Sequence, residues 1–349
     1  MMKLLYYLAY GLWYLASLLP LRVLYVLSDC FYLLLCNVVR YRHGVIWRNI
    51  STSFPEKSPR EWRRIEKDFY HWLCDYFVET IKLMTMSRKQ LMRRMRFTGT
   101  EEVNRLVEKG QSVAIYLGHY GQWEWITSLP FWVSEKCQCC EIYHPLENPE
   151  FDRLFRTVRE KRNALCIPMA ETLRRVVEYR SKHTPIILGY IADQVPFWNN
   201  IHHWLTFLNH DTAVLTGSER IARKMNQAVV YGDVRRVRRG YYECDLQLIT
   251  DAPASYPEFR LTDIYFQRLE VSIRRDPSLY LWSHNRWKRT HEEFNIRFDP
   301  STGRVDLRPL EVIKREKGLA EQPAPASDKS DAAIGEASGA KASSADVQP

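Results

Sequence analysis

Long uncharged stretches are absent from this 349-residue sequence everywhere except near its N-terminus, which excludes a membrane protein with many spans. An internal repeat, a phosphate-binding P-loop and a Gly-x-Gly-x-x-Gly motif are also absent, so the sequence does not predict a solenoid or a nucleotide-binding fold of those types. Charged residues make up 26% of the chain and the apolar set 46%, which excludes wholesale disorder and the collagen-like and coiled-coil classes.

The eight cysteines follow no regular framework, and a chain of this length needs no disulfide staples. We therefore interpret them as reduced thiols of a domain that faces the cytosol. Cys137 and Cys140 form a Cys-x-x-Cys pair with His144 four residues further on, but no second cysteine pair completes a four-ligand zinc site. The sequence predicts neither a metal site nor a cofactor.

Charge is distributed unevenly along the chain, whose formal net charge is +9. Residues 318–349 hold five acids against two lysines and are rich in Ala, Ser, Gly and Pro, so we predict a disordered tail over this range. The remaining sequence is strongly basic and should attract an anionic partner, such as a phospholipid headgroup, a phosphorylated lipid, an acidic carrier protein or nucleic acid.

The N-terminal apolar region predicts a membrane anchor over residues 1–42. Residues 4–21 contain no charge, and these eighteen residues are just enough to cross a bilayer core of about 30 Å. A second apolar stretch, 23–39, has Asp29 as its single charge, and Pro20 should break or kink the helix between the two. No small-residue cleavage site ends the first stretch, so we do not expect a cleaved signal peptide.

Basic residues flank this apolar region on both sides, at Lys3 and within residues 40–48. The positive-inside rule places both flanks, and with them the rest of the chain, on the cytoplasmic side of the membrane. The pattern therefore predicts a shallow hairpin, or one spanning helix followed by an interfacial one. A buried helical hairpin of a soluble core is the alternative interpretation.

The rest of the sequence predicts an α/β fold in which helices flank a mixed β-sheet. Ser58 and Pro59 begin a helical region predicted over 58–96, and from about residue 99 short apolar strands alternate with helices. We divide the chain into the anchor (1–42), a folded domain (43–317) and the tail (318–349). Strands are predicted at 112–117, 141–143, 185–191, 228–234 and 241–249, and helices at 121–132, 149–162, 169–180, 216–225 and 263–274, with an Arg-rich turn joining the last two strands.

The residues that follow the strand 112–117 have the clearest chemistry. Five positions separate His119 and Glu124, so on one helix they would point about 140° apart. If His119 lies in the loop that leaves the strand, however, Glu124 can point back at it from the following helix, and Gly118 and Gly121 permit the tight approach. An imidazole whose far nitrogen is held by a carboxylate is a general base that can deprotonate a hydroxyl attacking a thioester. A packed or capping histidine is the alternative.

Five sequence blocks occur in the order found in the late acyltransferases of lipid A biosynthesis, the lauroyl/myristoyl acyltransferase family of the His-(four residues)-Asp/Glu superfamily. The resemblance extends from the apolar N-terminus to about residue 290. The blocks are His119 with Glu124; Asn49-Ile-Ser51 with Phe54-Pro-Glu56; Tyr143 to Pro149 with Asp152 and Arg159; Asp193-Gln194 with Phe207 and Asp211-Thr-Ala213; and Tyr280-Leu-Trp-Ser-His-Asn-Arg-Trp-Lys288.

This resemblance implies a glycerolipid-acyltransferase-like fold and makes residues 43–317 an acyltransferase domain, at the bacterial inner membrane and facing the cytoplasm. It implies transfer of a fatty acyl chain from an acyl-carrier-protein thioester to a hydroxyl of a phosphorylated lipid A precursor, an O-acyl transfer of lipopolysaccharide biosynthesis. In the family's pattern, His119 is the base and Glu124 orients it. The substrate-binding candidates are Arg159, Asn148, Asp193 and Arg286, although Arg159 could be a helix-surface residue and Asn148 a helix cap.

Several alternatives remain open at this point. Many relatives carry a second Asp and a Gly after the position of Asp193, where this chain has Gln194, Val195 and Pro196. The acceptor could therefore be another glycolipid or phospholipid. A glycerolipid acyltransferase would carry a Phe-Pro-Glu-Gly-Thr-Arg block after the histidine, and Phe54-Pro-Glu56 precedes it. A non-enzymatic, basic, membrane-anchored lipid-binding scaffold is a further alternative, whereas the lack of any recognisable nucleic-acid module predicts no nucleic-acid partner.

Overall fold

The computed structural model of this protein describes residues 2–319, with side chains from residue 6 onward. Contacts between Cα atoms divide the chain into one unit that ends at Leu307 and a second that begins at Arg308. Of the tail predicted over 318–349, residues 320–349 lie outside the described part. The division into anchor, folded domain and tail stays a prediction.

The first unit is built on a seven-stranded sheet with the strand order β1-β9-β8-β2-β5-β3-β4. Neighbouring strands are parallel throughout, except that β8 and β9 form an antiparallel hairpin. The predicted mixed sheet with flanking helices is thus confirmed. The strands are β1 (Met95–Thr98), β2 (Val113–Leu117), β3 (Gln138–Tyr143), β4 (Ala164–Pro168), β5 (Ile186–Ile191), β6 (His203–Phe207), β7 (His210–Val214), β8 (Ala228–Arg238), β9 (Tyr241–Thr250), β10 (Phe298–Asp299) and β11 (Arg304–Val305).

Helices cover the sheet and form the N-terminal hairpin, and short 3-10 segments connect several of the elements. A π-helical segment, Leu34–Val39, continues the second helix of the hairpin. The helices are α1 (Met2–Leu18), α2 (Leu21–Leu33), α3 (His43–Ser53), α4 (Pro59–Leu83), α5 (Arg88–Arg94), α6 (Thr100–Glu108), α7 (Pro149–Glu160), α8 (Thr172–Ser181), α9 (Gly217–Met225), α10 (Arg260–Arg275), α11 (His291–Arg297) and α12 (Leu310–Glu316), the last of which belongs to the second unit.

Helix α4 begins where the sequence predicts. Ser58 and Glu61 form a reciprocal capping box, and Pro59 occupies the first helical turn. The helical region predicted over 58–96 is not continuous, because α4 ends at Leu83 and α5 starts with a second capping box, Ser87 with Gln90. Residues 95 and 96, predicted as the end of this helical region, instead begin β1, which pairs in parallel with β9 and contributes the buried Met95 and Phe97 to the core.

The N-terminal hairpin packs one face against α4 and leaves the other face apolar and exposed. Pro20 separates α1 from α2, as predicted. The segment Leu21–Val39 is long and apolar enough to cross a membrane. The inner face of the hairpin includes the buried Leu21 and Leu24. Exposed apolar side chains on the outer face include Leu8, Leu12 and Leu15 of α1 and Val23, Val26 and Phe31 of α2.

Candidate functional site

Two adjacent parallel strands place His119 beside Asp193. Strands β2 and β5 pair in register, with Leu117 opposite Ile191. His119 lies two residues beyond Leu117, and Asp193 lies two residues beyond Ile191. Because the carboxyl ends of neighbouring parallel strands meet at one edge of a sheet, this register brings the two side chains together.

The imidazole of His119 is held by Asp193 through Nδ1, and its other nitrogen, Nε2, faces the side-chain amide of Gln194. Nδ1 of His119 lies 2.7 Å from Oδ1 of Asp193, and the backbone N–H of His119 donates to Oδ2 at 3.1 Å. Burial alone would raise the pKa of Asp193, but the charge and the hydrogen bonds of His119 lower it, with help from Arg286. An ionised Asp193 requires a proton on Nδ1, so the lone pair of the imidazole is on Nε2. The side-chain amide of Gln194 lies 3.3 Å from that nitrogen.

The loop that carries His119 is shaped by two glycines and by the closing segment of the first unit. A side chain at Gly118 would come within 2.6 Å of Leu269, and Gly121 has φ +63°, a conformation that favours glycine. The N–H of Gly121 donates to the carbonyl of Leu279, and the carbonyl of His119 accepts from the N–H of Leu281. The closing block of the sequence therefore supports the loop of His119 through backbone hydrogen bonds.

The helix predicted over 121–132 is a 3-10 helix, Trp123–Phe131, and this changes where Glu124 points. Pro130 lies inside the segment and lacks an N–H group, which disfavours a regular α-helix there. The carboxylate of Glu124 binds Arg159 in a bidentate pair, with Nε at 2.9 Å from Oε2 and a terminal nitrogen at 2.6 Å from Oε1. The contact to the His119 ring that we expected from Glu124 is thus made by Asp193.

Arg159 lies in an electrostatic position that favours its charge. It contacts Glu124 and also approaches Glu141, with Nε 3.6 Å from Oε1 of the latter. Burial would lower the pKa of Arg159, but the two carboxylates outweigh it and the pKa is raised. Burial raises the pKa of Glu141, which also accepts a hydrogen bond from the thiol of Cys166. Sequence reasoning missed Glu141, and its place on a strand one residue after Cys140 gave no separate signal.

The remaining candidates lie at different depths. Asn148 caps α7, since its side-chain oxygen accepts from the N–H groups of Glu150 and Phe151. Arg286 is only 2% exposed and donates to the carbonyl of Ala213, a place that suits an electrostatic role behind Asp193 better than the predicted contact with substrate. Burial lowers the pKa of His284 to about 4, and its neutral ring accepts from the N–H of Val195.

His119 opens onto a cavity of about 470 Å³, which lies in the size range of small-molecule binding sites. The cavity follows one face of the sheet, because Ile115 and Leu117 of β2 line it together with every second residue of β5 from Ile187 to Ile191. Glu124, Glu141 and Arg159 contribute polar groups to the wall, and Trp123 packs on the His119 ring in an edge-to-face contact. Apolar lining residues include Ile126, Leu129, Pro130, Ile142, Phe155, Ala164 and Leu215.

Residues 1–289 match the profile of a protein family described as bacterial lipid A biosynthesis acyltransferase. The chain belongs to this family. Membership implies an acyltransferase of lipid A biosynthesis, acting between an acyl donor and a lipid A precursor. A comparison with curated protein sequences finds no match.

Two blocks of this acyltransferase that are far apart in its sequence contact each other in the fold. The side chain of Asn49, from the first block, donates to the carbonyls of Trp282 and His284 in the last, at 2.8 Å each. The guanidinium of Arg42 donates to the carbonyl of Ser283. These contacts fix the closing segment that supports the His119 loop. The ring of His203 stacks on Phe259, and that of Trp204 stacks on His291.

Proposed function

We propose that this acyltransferase moves a fatty acyl chain from an acyl-carrier-protein thioester to a hydroxyl of a lipid A precursor, with His119 as the general base. The observation that carries the proposal is the His119–Asp193 pair at the mouth of an apolar cavity. A fixed tautomer places the lone pair on Nε2, where an acceptor hydroxyl can take the place of the Gln194 amide that lies 3.3 Å away. The apolar walls suit a hydrocarbon chain.

In the proposed reaction, Nε2 of His119 takes the proton of the acceptor hydroxyl while that oxygen attacks the thioester carbonyl carbon. The resulting tetrahedral intermediate carries a negative oxygen. Its collapse forms the ester, breaks the carbon–sulfur bond, and returns the proton from His119 to the leaving sulfur. Asp193 stabilises the imidazolium that forms in between and keeps the ring in its orientation.

Arg159 and Glu124 act together in this proposal. Arg159 lines the cavity, and its guanidinium has a second terminal nitrogen besides the two nitrogens that bind Glu124, so it can donate a charge-assisted hydrogen bond to the developing oxyanion. Glu124, which is 5% exposed, holds that guanidinium through two hydrogen bonds. Glu124 is therefore a positioning residue for Arg159 rather than for His119.

The contacts of the hairpin favour shallow insertion into the cytoplasmic leaflet of the inner membrane. Asp29, in the middle of the apolar segment, pairs with Arg239 of the β8–β9 turn at 2.6 Å, and Arg239 also pairs with Asp75 of α4 at 2.6 Å. Ser28 donates to Asp75 as well, at 2.6 Å. A bilayer-spanning α2 would carry these charged partners into the hydrocarbon core, which is costly. An acidic carrier protein would dock on the basic cytoplasmic surface.

The test is acyl transfer by the purified chain in an uncharged detergent, with acyl carrier protein and a lipid A precursor as substrates and mass spectrometry of the product. His119→Ala should lower kcat by about 10²–10⁴, the usual contribution of a general base. His202→Ala, at an exposed histidine, serves as the control. Activity retained by His119→Ala would refute the mechanism, and transfer to a different glycolipid or phospholipid alone would refute the acceptor.

A further inference from the structure

A second cavity, of about 360 Å³, lies at the C-terminal end of the apolar hairpin. Its walls come from the π-helical segment after α2, from the start of α3 and from the first half of α4. It shares no lining residue with the cavity of His119. Tyr76, which reaches Glu124, follows Glu66 by ten residues on α4, a distance of about 15 Å along the helix. Its lining includes Arg40, His43, Arg63, Glu66, Lys67 and Tyr70.

The lining of this cavity carries an excess of positive charge. Within residues 2–319, no ion pair joins Arg40, Arg63 or Lys67 to a carboxylate, and all three are exposed. The acid of the cavity, Glu66, is buried and lies 2.5 Å from Nδ1 of His43. Three cations thus surround a pocket whose single carboxylate is already engaged, an arrangement that attracts an anion.

The backbone around the cavity adds to this preference. Helix α3 begins at His43 on the cavity wall, so the positive end of its dipole points to this region. Its N-cap residue is Arg42, whose side chain donates to Ser283 instead of capping the helix. The turn before it is held by the Tyr70 hydroxyl, which donates to the carbonyl of Tyr41 at 2.7 Å.

The apolar surface next to the cavity indicates which kind of anion fits. Leu34, Val38 and Val39 belong to the π-helical segment that ends just before Arg40, and all three are exposed, with Val38 at 73%. A small inorganic anion would leave these side chains in water. A ligand with an anionic head and hydrocarbon tails would cover them and satisfy the cations together.

We propose that this cavity binds the phosphate headgroup of an anionic membrane lipid, whose acyl chains lie along the exposed apolar side chains of residues 34–39. Arg40, Arg63 and Lys67 contact the phosphate, and the site is separate from the one that performs acyl transfer. It does not depend on the proposed reaction, since a chain without catalytic activity would still bind the lipid.

The experiment uses the full chain in an uncharged detergent and titrates it with short-chain phosphatidylglycerol, short-chain phosphatidylcholine or inorganic phosphate. Binding is measured by calorimetry and by the shift of the thermal unfolding midpoint. The wild type should bind phosphatidylglycerol more tightly than either other probe. Combining Arg40→Gln, Arg63→Gln and Lys67→Gln should weaken that binding by about fivefold for each cation, which is on the order of 100-fold for all three.

Three controls decide between the outcomes. Lys109→Gln combined with Lys136→Gln and Arg220→Gln removes the same charge at exposed positions that do not line the cavity, and should change binding far less. Arg40→Lys with Arg63→Lys should retain most of the affinity, which separates lost charge from lost folding. His119→Ala should bind the lipid normally. Equal losses in the two triple variants would overturn the site, and equal affinity for inorganic phosphate would overturn the lipid assignment.

Discussion

Glu79 lies at the junction between the N-terminal hairpin, the sheet and the loop of the candidate active site, and its replacement tests how this junction responds to pH. Its carboxyl group is completely buried. Tyr25 of α2 donates to it at 2.7 Å, Gln122 of the site loop at 2.8 Å and Tyr242 of β9 at 3.1 Å. Burial raises the pKa of Glu79 from 4.5 to about 7, although the hydrogen bonds of Gln122 and Tyr25 oppose this.

A raised carboxyl pKa makes the folded protein bind a proton that the unfolded chain has already lost. Stability from this group is complete below the unfolded pKa of about 4.3, falls as the pH rises toward 7, and is absent above it. A shift from 4.5 to about 7 corresponds to roughly 3 kcal/mol of unfolding free energy across that window. Because glutamine is neutral at every pH, Glu79→Gln should remove this dependence.

The assay is denaturant unfolding of the wild type and Glu79→Gln in an uncharged detergent at a series of pH values from 4 to 9. The free energy of unfolding of the variant, relative to that of the wild type, should rise by about 3 kcal/mol between pH 5 and pH 8. Glu108→Gln, at an exposed acid, controls for the loss of a surface charge. Parallel curves for the wild type and Glu79→Gln would refute the assignment of a raised pKa to this carboxyl group.

Two further predictions concern the catalytic cavity. Asp193→Asn should lower kcat at least 100-fold, because an amide that still accepts from the backbone N–H of His119 turns its NH2 group toward Nδ1 and so disfavours the tautomer with a proton on Nδ1. Glu124→Gln should leave the His119–Asp193 pair intact and weaken the hold on Arg159. Steady-state and single-turnover kinetics compare the two variants, and equal losses of the single-turnover rate would contradict these separate roles. Gly189→Leu should shift transfer toward shorter acyl chains, because a Cβ at Gly189 meets nothing closer than 3.8 Å and the side chain would extend into the cavity. The shift is measured from product masses after reaction with a mixture of acyl donors, and Gly189→Ala should give a smaller shift. An unchanged chain length in Gly189→Leu would exclude the cavity wall at Gly189 as a contact of the acyl chain.

Local sequence patterns predicted the elements that frame the site. The apolar run that became β2 ends where expected, and the hairpin of β8 and β9 follows two runs with strong strand preference. His119 after a buried strand was a sound prediction for the same reason. Such features depend on neighbouring residues, whose periodicity and turn chemistry can be read directly.

The partner of His119 could not be predicted in this way, because the register of β2 against β5 joins residues 74 positions apart. Asp193 lies two residues beyond its strand just as His119 does, but the chain passes through β3 and β4 before reaching β5. Glu124 is closer to His119 in sequence than Asp193 is. Only the 3-10 geometry and the position of α7 show that Glu124 binds Arg159 instead. The depth of Arg286 also depends on tertiary packing rather than on its local motif.

Helix α4 connects the N-terminal hairpin to the groups of the candidate site through side chains spread along its length. Glu66 contacts His43 near the second cavity, Asp75 binds Arg239 and Ser28, and Glu79 binds Tyr25 and Gln122. Tyr76, between the last two, donates to Glu124. Because a regular helix fixes the spacing of these groups, the depth of the hairpin under the proposed insertion would also set the height of the His119 cavity above the leaflet. A lipid headgroup held at the start of α4 would therefore position the cavity mouth relative to the membrane surface.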